Sequence, residues 1–577
     1  MKIESTKKEE RLDFFKELYE RARRAEEERH EELDLNLEQY RGSVKIDGSD
    51  ENAVTVRNIT YEIIESQVSS EIPLPKVEAE RCGSKEERNA AAIELLCSGV
   101  RDKLPFEEMN DVDERQTYIY GASVWLVEWD DSKRESGERG GISARAISPR
   151  DLFPEPCIQR IEDMDYCFLR FTTTRAEVQR KYRITDDELH LLECEFSYEA
   201  FDTECDAVSV VTCFYKDERG EIGRYVFSGE VTLSDTPEYY KRRILVCESC
   251  GRPDDECTCD KRSPVSLKID LETVRLTEEM TEILLGSEGE AEISLPYYLP
   301  KRFPIVIRKN TTLGDSLYGQ SDCDYIRPEQ QAINKVESRI LQKLLRAGIT
   351  PIIPEDATVS LNNSVFGQVI RMKPGESADM YGKVDTTPDI SQDIREAERL
   401  YDHSKRVLGI SDAYQGIDTS SSESGYAKQL RISQANGRLE SKRRMKKAAY
   451  ADIYRIIFEL YLAFADEPRA LYYKDVFGKT HEAVFDRRDF IVLDRNGGFC
   501  YNDSYLFSSD SGEEEYNRET LWETNLENLR SGSLGDTESP RTLLRYWQIQ
   551  ERAHYPYARE NVEYFKALIE SVGVQKN

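Results

Sequence analysis

The sequence contains no apolar run near the roughly 18 residues that a membrane-spanning helix requires. Its first residues, MKIESTKKEERLDFFKELYE, carry charges where a secretory signal peptide has an apolar stretch of about 7 to 15 residues. Both absences argue against a membrane span and against secretion by that route. We therefore expect a protein that is made and kept in the cytoplasm.

Motifs of common hydrolases and nucleotide-driven motors are also missing. There is no G-x-x-x-x-G-K-[ST] phosphate loop, no H-E-x-x-H zinc motif and no G-x-S-x-G nucleophile elbow. The five histidines lie far apart along the chain. Asp111 and Asp113 could hold magnesium in a nuclease, but such a pair carries little weight in a chain with 111 Asp and Glu. We therefore expect a protein that is not an enzyme.

Positive charge is in deficit, with 80 Lys and Arg against 111 Asp and Glu and a formal net charge of -31. The averaged field of such a chain repels phosphates, so any contact with nucleic acid must be local. A length of 577 residues is too great for one core and predicts two to four domains. Hydrophobic residues make up 39% of the chain, which is typical of a folded protein.

Hydrophobic periodicity predicts long helices at 8–40, 327–347, 389–408 and from Ser424 to Ala465. The remaining patterns predict a mixed region at 53–150, strands at 205–232 and 485–508, and helices at the C-terminal end, broken at SGSLGDTESP. The Asn-Gly pair in FIVLDRNGGFCYN predicts a hairpin. The predicted fold class is α+β, predominantly helical.

A basic stretch stands out against the acidic composition, with eight Lys and Arg and one Glu between Lys428 and Lys447. On a helix, five of these cations fall within about 80° of one another; they are Lys428, Arg431, Arg438, Lys442 and Lys446. Their stripe would be about 27 Å long at 1.5 Å per residue, which suits contact with a DNA backbone. The alternatives are a solvated helix face, or cations that pair with acids on a neighbouring helix. Beyond Ala449 the same face becomes apolar, so the stripe ends where packing begins.

A cluster of cysteines follows the pattern C-x2-C-x6-C-x-C, formed by Cys247, Cys250, Cys257 and Cys259. Two close pairs separated by a tight turn can surround one tetrahedral ion, as structural Zn(II) requires. Such a site has no open position for a catalytic water. The alternative is four thiols that are free or adventitiously paired, and we expect no organic cofactor.

The order and spacing of several further segments resemble those of bacteriophage portal proteins. The N-terminal helix ends in YRGS and is followed by SQVSSEIPLPKVEA, by ERQTYIYGASVWLVEWDDS and by ISPRDLFPEP. Then come GDSLYGQSDCDYIRPEQQAINKVESRILQKLLRAG, VLGISDAYQG, SGYAKQLRISQANG and LENLRSGSLGDTESPRTLLRYW. The resemblance covers most of the chain and lies in the order of these segments, since no single motif is diagnostic.

The resemblance implies a subunit with an α/β wing, a stem of two helices, a clip, a tunnel loop and a helical crown. It implies a wing at 1–388, stem helices with the clip and tunnel-loop region at 389–484, and a β-hairpin with a helical wing or crown segment at 485–577. The helix at 389–408 and the helix that begins at Ser424 would form the stem. The Cys-rich insert at about 240–265 is not a general feature of the family.

By the same resemblance, about twelve subunits would form a ring at the vertex of the phage head. The channel of that ring would serve packaging, retention and ejection of double-stranded DNA. Its implied partners are the terminase large subunit, the major capsid and scaffold proteins, and neck or adaptor proteins, and its implied location is the virion. The five cations of the stripe would face the DNA and give sparse contacts that carry no base information.

Two other classes of protein stay open at this point. One is a metal-dependent nuclease that acts in packaging, which metal-dependent cleavage of plasmid DNA would reveal. The other is a neck or scaffold interaction protein without a DNA channel, which the mass of the purified particle would distinguish from a portal.

Overall fold

A computed structural model of the protein describes most of the chain. The residues described are 8–43, 55–81, 83–135, 138–182, 184–200, 203–241, 244–247, 264–267, 271–314, 316–346, 349–352, 361–364, 367–370, 382–385, 388–410, 425–474, 480–510, 514–537, 539–552 and single positions or short runs between 555 and 569. Within these ranges, residues 425–438 are described as helix backbone only.

Helices occur along the described chain in the following order. They are α1 (Lys8–Ala25), α2 (Glu27–Arg41), α3 (Ile59–Gln67), α4 (Ser84–Lys103), α5 (Phe106–Tyr120), α6 (Arg175–Tyr182), α7 (Asp186–Leu189), α8 (Glu278–Leu285), α9 (Asp322–Arg346), α10 (Ser391–Leu408), α11 (Gly425–Phe464), α12 (Glu514–Arg530) and α13 (Pro540–Arg552).

The strands in the first half of the chain are β1 (Leu74–Ala79), β2 (Ala122–Glu135), β3 (Glu138–Ile147), β4 (Leu152–Pro154), β5 (Tyr166–Thr174), β6 (Cys194–Ala200), β7 (Thr203–Lys216), β8 (Ile222–Ser228), β9 (Val231–Thr236), β10 (Ile244–Cys247), β11 (Pro264–Leu267) and β12 (Leu271–Arg275). Those in the second half are β13 (Glu292–Pro296), β14 (Ile305–Lys309), β15 (Thr311–Thr312), β16 (Gly319–Gln320), β17 (Ile349–Ile352), β18 (Leu361–Ser364), β19 (Gly367–Ile370), β20 (Gly382–Asp385), β21 (Arg469–Lys474), β22 (Thr480–Phe485), β23 (Ile491–Leu493), β24 (Phe499–Tyr501) and β25 (Tyr505–Asp510).

The largest sheet has six antiparallel strands. Strands β4, β5, β7, β8 and β9 follow one another in that order, and β6 also pairs with β7. Helix α1 covers one face of this sheet through aromatic side chains. Phe15 stacks on Tyr225 with ring centroids 4.2 Å apart, and Tyr19 meets Phe168 edge to face. This packing fixes the N-terminal helix on the body of the protein.

The main core forms around the C-terminal half of α11. A three-stranded sheet, in the order β14, β2, β3, packs against it. Trp125 of β2 lies 5.7 Å from the rings of both Phe106 and Tyr450. Of residues 449–465, all are buried except Asp452 and Arg455. This half of α11 is therefore apolar on nearly every side because protein surrounds it.

Helix α5 reaches the core through a backbone contact that only glycine allows. It ends at Gly121, whose φ is +78°, in the left-handed region. A Cβ at this position would lie 2.4 Å from the carbonyl oxygen of Gly319. The contact brings the end of α5 and the start of β2 against the segment that leads into α9.

Helices α9 and α10 pack side by side as an antiparallel pair. Arg339 and Lys343, near the end of α9, form ion pairs with Asp393, near the start of α10. At the other end, Nδ1 of His403 on α10 lies 3.1 Å from Oε1 of Glu329 on α9. The C-terminal end of α9 thus lies beside the N-terminal end of α10, so the two helices run in opposite directions.

Two nested β-ribbons lie between α9 and α10 in the chain. Strand β17 pairs with β20, and β18 pairs with β19 inside that span. Among the residues that the structure describes, no helix has both the length and the apolar character needed to cross a bilayer.

Several predictions from periodicity are confirmed. The fold is a mixture of α and β structure, α11 spans almost the whole predicted range from Ser424 to Ala465, and β23 and β24 form the hairpin expected around Asn-Gly. The proposed limits of wing, stem and crown stay predictions. Packing crosses those limits, since β25, from the predicted C-terminal segment, pairs with β1 from the predicted wing.

Candidate functional site

The basic stripe lies on α11, as the sequence predicts, but its two ends differ in what the structure describes. Lys428, Arg431 and Arg438 belong to the part of the helix described as backbone only. Lys442 and Lys446 lie one turn apart at the point where the helix enters the core, and their side chains are described. The contacts of these two lysines define the candidate site.

Lys442 points into the protein and meets the first turn of α9. Its Nζ donates to both carboxylate oxygens of Asp322, at 2.6 and 2.8 Å, and to Oε1 of Gln67 at 3.0 Å. The Lys442 side chain is 13% exposed and Asp322 is fully buried. Asn310 and Gln67 also donate to the Asp322 carboxylate. Three side chains therefore hold the buried Asp322 carboxylate in place.

Lys446 pairs with a second buried carboxylate, from α5. Its Nζ lies 3.1 Å from Oε1 of Glu114 and donates to the carbonyl oxygens of Glu71 and Ser69. The backbone N–H of Ser69 in turn donates to the other oxygen of Glu114, at 2.9 Å. All three donors of the ammonium group therefore have partners within the chain.

The network continues to Arg308 on β14. Its guanidinium donates to Glu114 at 2.6 Å and to Asp113, which also accepts from Trp125 and Ser123. We call this set the α11 network; its charged members are Lys442, Lys446, Arg308, Asp113, Glu114 and Asp322. Three cations thus face three carboxylates, and the network carries no net charge.

The cations control the ionisation of Glu114. Burial alone would raise the pKa of this carboxyl, but the positive charges of Arg308 and Lys446 outweigh burial and hold the pKa below its ordinary value of 4.5. Glu114 is therefore ionised at neutral pH. The network couples α11 at once to α3, α5, α9 and β14.

The structure places the C-terminal end of the predicted stripe within the protein. Lys442 and Lys446 do not belong to an exposed face, because both are bound by carboxylates of the same chain. For these two residues the alternative, pairing with acids on a neighbouring helix, describes the observed geometry, since Asp322 lies on α9 and Glu114 on α5. Contact between DNA and Lys428, Arg431 or Arg438 stays a prediction, since those side chains lie outside the described part.

Sequence reasoning missed the acids that complete the network. Asp322 lies in the quoted segment SDCDYIRP and Glu114 in DERQTYIY, but no spacing in either segment indicates a lysine more than 100 positions away. The acidic pair considered for magnesium does not converge. Asp113 is buried beside Arg308, whereas Asp111 is exposed and pairs with Arg115 at 2.5 Å.

The predicted zinc site lies mostly outside the described residues. Cys247 is the last residue of β10, and its backbone pairs with Pro264 at the start of β11, whereas Cys250, Cys257 and Cys259 fall in the segment between these strands that is not described. Within the described residues, no group of three or more His, Cys, Asp or Glu is arranged to hold a metal ion. Zinc binding by the four cysteines stays a prediction.

Comparisons with known proteins add no family to these observations. No protein-family model matches the chain, and no curated protein sequence matches it significantly. A function has to be inferred from the residues and their geometry.

Proposed function

We propose that this chain is a subunit of a portal-type ring through which double-stranded DNA enters and leaves a phage head. The observation that carries the proposal is the construction of α11, a single helix of 40 residues. Its C-terminal half is the centre of the core, and the α11 network fixes it to four other elements. The part that precedes this core carries Lys428, Arg431 and Arg438. A rigidly anchored helix with cations ahead of its anchor suits a channel lining.

The packed pair of α9 and α10 supplies the stem in this proposal. Their lengths, 25 and 18 residues, correspond to about 37 and 27 Å at 1.5 Å per residue. The resemblance suggested α10 and α11 as the stem, but α10 packs along α9. The nested ribbons β17/β20 and β18/β19, which lie between these two helices in the chain, are the best candidates for the clip.

Exposed apolar side chains on the helix pair support contacts between copies. Leu344 and Leu345 of α9 and Ile394 of α10 are all more than two-fifths exposed. The antiparallel packing places them at the same end of the pair. Large apolar side chains that cluster on a surface are typical of protein interfaces. In a ring, one such patch would meet a different patch of the next subunit, and the contact closes only if its rotation divides the circle.

The charge of the chain suits passage of DNA. Each copy brings a net charge of -31, so most of a ring would repel phosphates and allow DNA to slide. The few cations on α11 would then be weak, sequence-independent contacts.

The proposed partners are DNA, the terminase large subunit, capsid and scaffold proteins and neck proteins. Zinc bound by the four clustered cysteines would staple the loop between β10 and β11, and a zinc assay of freshly reduced protein tests that part of the proposal.

The mass of the purified particle is the decisive experiment. Native mass spectrometry at micromolar concentration should show a closed ring near twelve subunits, or about 0.8 MDa from chains of 66.7 kDa each. A stable monomer or dimer would overturn the proposal. A neck or scaffold protein would assemble without a channel in electron micrographs, and a nuclease would cleave plasmid DNA when metal is added.

A further inference from the structure

A second group of cations lies in a cleft of about 440 Å³. Its walls come from β2, β3, the six-stranded sheet and α6. It shares no residue with the α11 network. The inference drawn from it is independent of the proposed portal function.

The centre of the cleft is a carboxylate that two arginines share. Nη2 of Arg145 lies 3.2 Å from one oxygen of Glu128, and Nη1 of Arg224 lies 3.6 Å from the other. Tyr239 also donates to Glu128, at 3.4 Å. Glu128 is thus already held by three groups, and one carboxylate faces two guanidinium groups.

Lys181 of α6 is exposed and adds a further positive charge to the lining of the cleft. Among the described residues, no carboxylate lies within ion-pair distance of its Nζ. Partial burial, and then the charges of Arg224 and Arg145, lower the pKa of Lys181. The Nε–H of Arg224 is buried and has no hydrogen-bond acceptor within the described part of the chain. One buried guanidinium N–H thus lacks an acceptor, and beside it an exposed ammonium group has no carboxylate partner among the described residues.

The other charged residues of the cleft leave a surplus of one cation. Arg170 pairs with Asp151 at 3.0 Å, and Glu177 accepts a hydrogen bond from Thr173 at 2.6 Å. Counting all of them, four cations and three carboxylates line the cleft. A local positive surplus beside an unsatisfied buried donor is an arrangement that an anion would complete.

The size and the remaining walls indicate the class of ligand. A volume near 440 Å³ lies within the range of about 300–1,000 Å³ typical of small-molecule sites. The rings of Phe171 and Tyr182 form apolar walls beside the cations. The guanidinium group of Arg145 already lies 4.3 Å from the Phe171 ring. We propose that this cleft binds a phosphate group carried by a small molecule, with Lys181 and Arg224 as the ligands of the phosphate.

Isothermal titration of the full chain tests the proposal with three probes. They are inorganic phosphate, adenosine monophosphate and a short DNA duplex. Adenosine monophosphate should bind more tightly than inorganic phosphate, since part of the molecule can contact the aromatic walls. If the two compounds bind with equal affinity, the ligand of the cleft is free phosphate. That result would still support Lys181 and Arg224 as the residues that bind the phosphate.

Two substitutions should move affinity in opposite directions. Lys181→Gln removes a donor and should weaken binding of adenosine monophosphate at least about tenfold, whereas Glu128→Gln removes the competing negative charge and should tighten it. Arg180→Gln is the matched control, because Arg180 is exposed on the same helix and does not line the cleft.

Three results would overturn the inference. One is the absence of binding by both phosphate compounds at millimolar concentration. Another is binding that Lys181→Gln and Arg180→Gln reduce equally, or that Glu128→Gln weakens. The third is duplex binding that Lys181→Gln abolishes without any binding of the small probes, which would assign the cations to nucleic acid. If Lys181→Gln fails to fold, the Glu128→Gln variant still decides the question.

Discussion

The chain contains two groups of cations that meet carboxylates in different proportions. In the α11 network three cations face three carboxylates, and the ammonium groups of both lysines have acceptors. In the cleft beside α6, four cations face three carboxylates, the buried Nε–H of Arg224 has no acceptor among the described residues, and exposed Lys181 has no carboxylate partner among them. The number of cations alone therefore does not identify a binding site. The balance of charges and the unsatisfied donors distinguish an internal anchor from a surface that can take a ligand.

The largest expected effect comes from unbalancing the α11 network. Arg308→Met should lower the free energy of unfolding by about 3 to 5 kcal/mol, because it leaves Asp113 and Glu114 buried without their shared cation. Urea denaturation of the full chain, followed by fluorescence, measures the change. The assembled state has to be kept the same for both proteins, since assembly also stabilises the fold.

Arg444→Met is the matched control for this prediction. Arg444 lies on α11 beside the network, but its side chain is 72% exposed, and within the described part of the chain it pairs with Glu440 at 3.1 Å, one turn away. Its loss should change stability by no more than about 0.5 kcal/mol. If Arg308→Met lowered the free energy of unfolding as little as the control does, Asp113 and Glu114 would not need the Arg308 cation. The α11 network would then not be what fixes the helix.

A smaller effect should appear when the network is unbalanced by acid. The folded-state pKa of Glu114 is held below its ordinary value of 4.5, so the unfolded chain takes up the proton first as the pH falls. The stability from ionised Glu114 is fully present above that ordinary value, and it is lost as the pH falls through the folded-state pKa. At neutral pH, Glu114→Gln should be less stable than the natural chain, and the difference between the two should shrink below about pH 4.5.

Urea denaturation at neutral and acidic pH measures this convergence. Glu108→Gln, an exposed position on the same helix, is the control and should stay close to the natural chain at both pH values. A stability difference for Glu114→Gln that does not change with pH would show that packing, and not charge, explains the loss.

The sequence predicts local elements well because helices and strands follow from short-range periodicity. It also predicts correctly that Lys442 and Lys446 share one side of α11. It does not reveal what that side meets, since Asp322 and Glu114 come from elements far away in the chain. One signal was available: the same face continues as Ile453, Ile456 and Leu460, all buried, and a face that packs in the next turns is already turned toward the protein.

The cleft beside α6 could not have been found in the same way. Its cations come from β3, β5, α6 and β8, and its central carboxylate comes from β2. No local pattern connects these positions, because antiparallel pairing and the packing of α6 bring them together. Hydrophobic periodicity within one helix or strand therefore cannot predict this site.

The smallest expected effect separates the two ends of the basic stripe. If Lys428 and Arg431 bind DNA, reversing both to Glu should leave the fold and the ring intact and flatten the dependence of duplex binding on salt. The expected change in the log-log slope is about 0.9 for each phosphate that the protein no longer neutralises. Lys442→Glu should act differently, because it would place a carboxylate against buried Asp322 and so reduce stability before any effect on DNA.

Fluorescence anisotropy of a labelled duplex at several salt concentrations gives the slopes, with Arg444→Glu as the exposed control. Equal slopes for that control and for the double reversal would remove Lys428 and Arg431 from the DNA interface. A double reversal that unfolds the chain would show instead that this end of the stripe is also balanced by carboxylates of the protein.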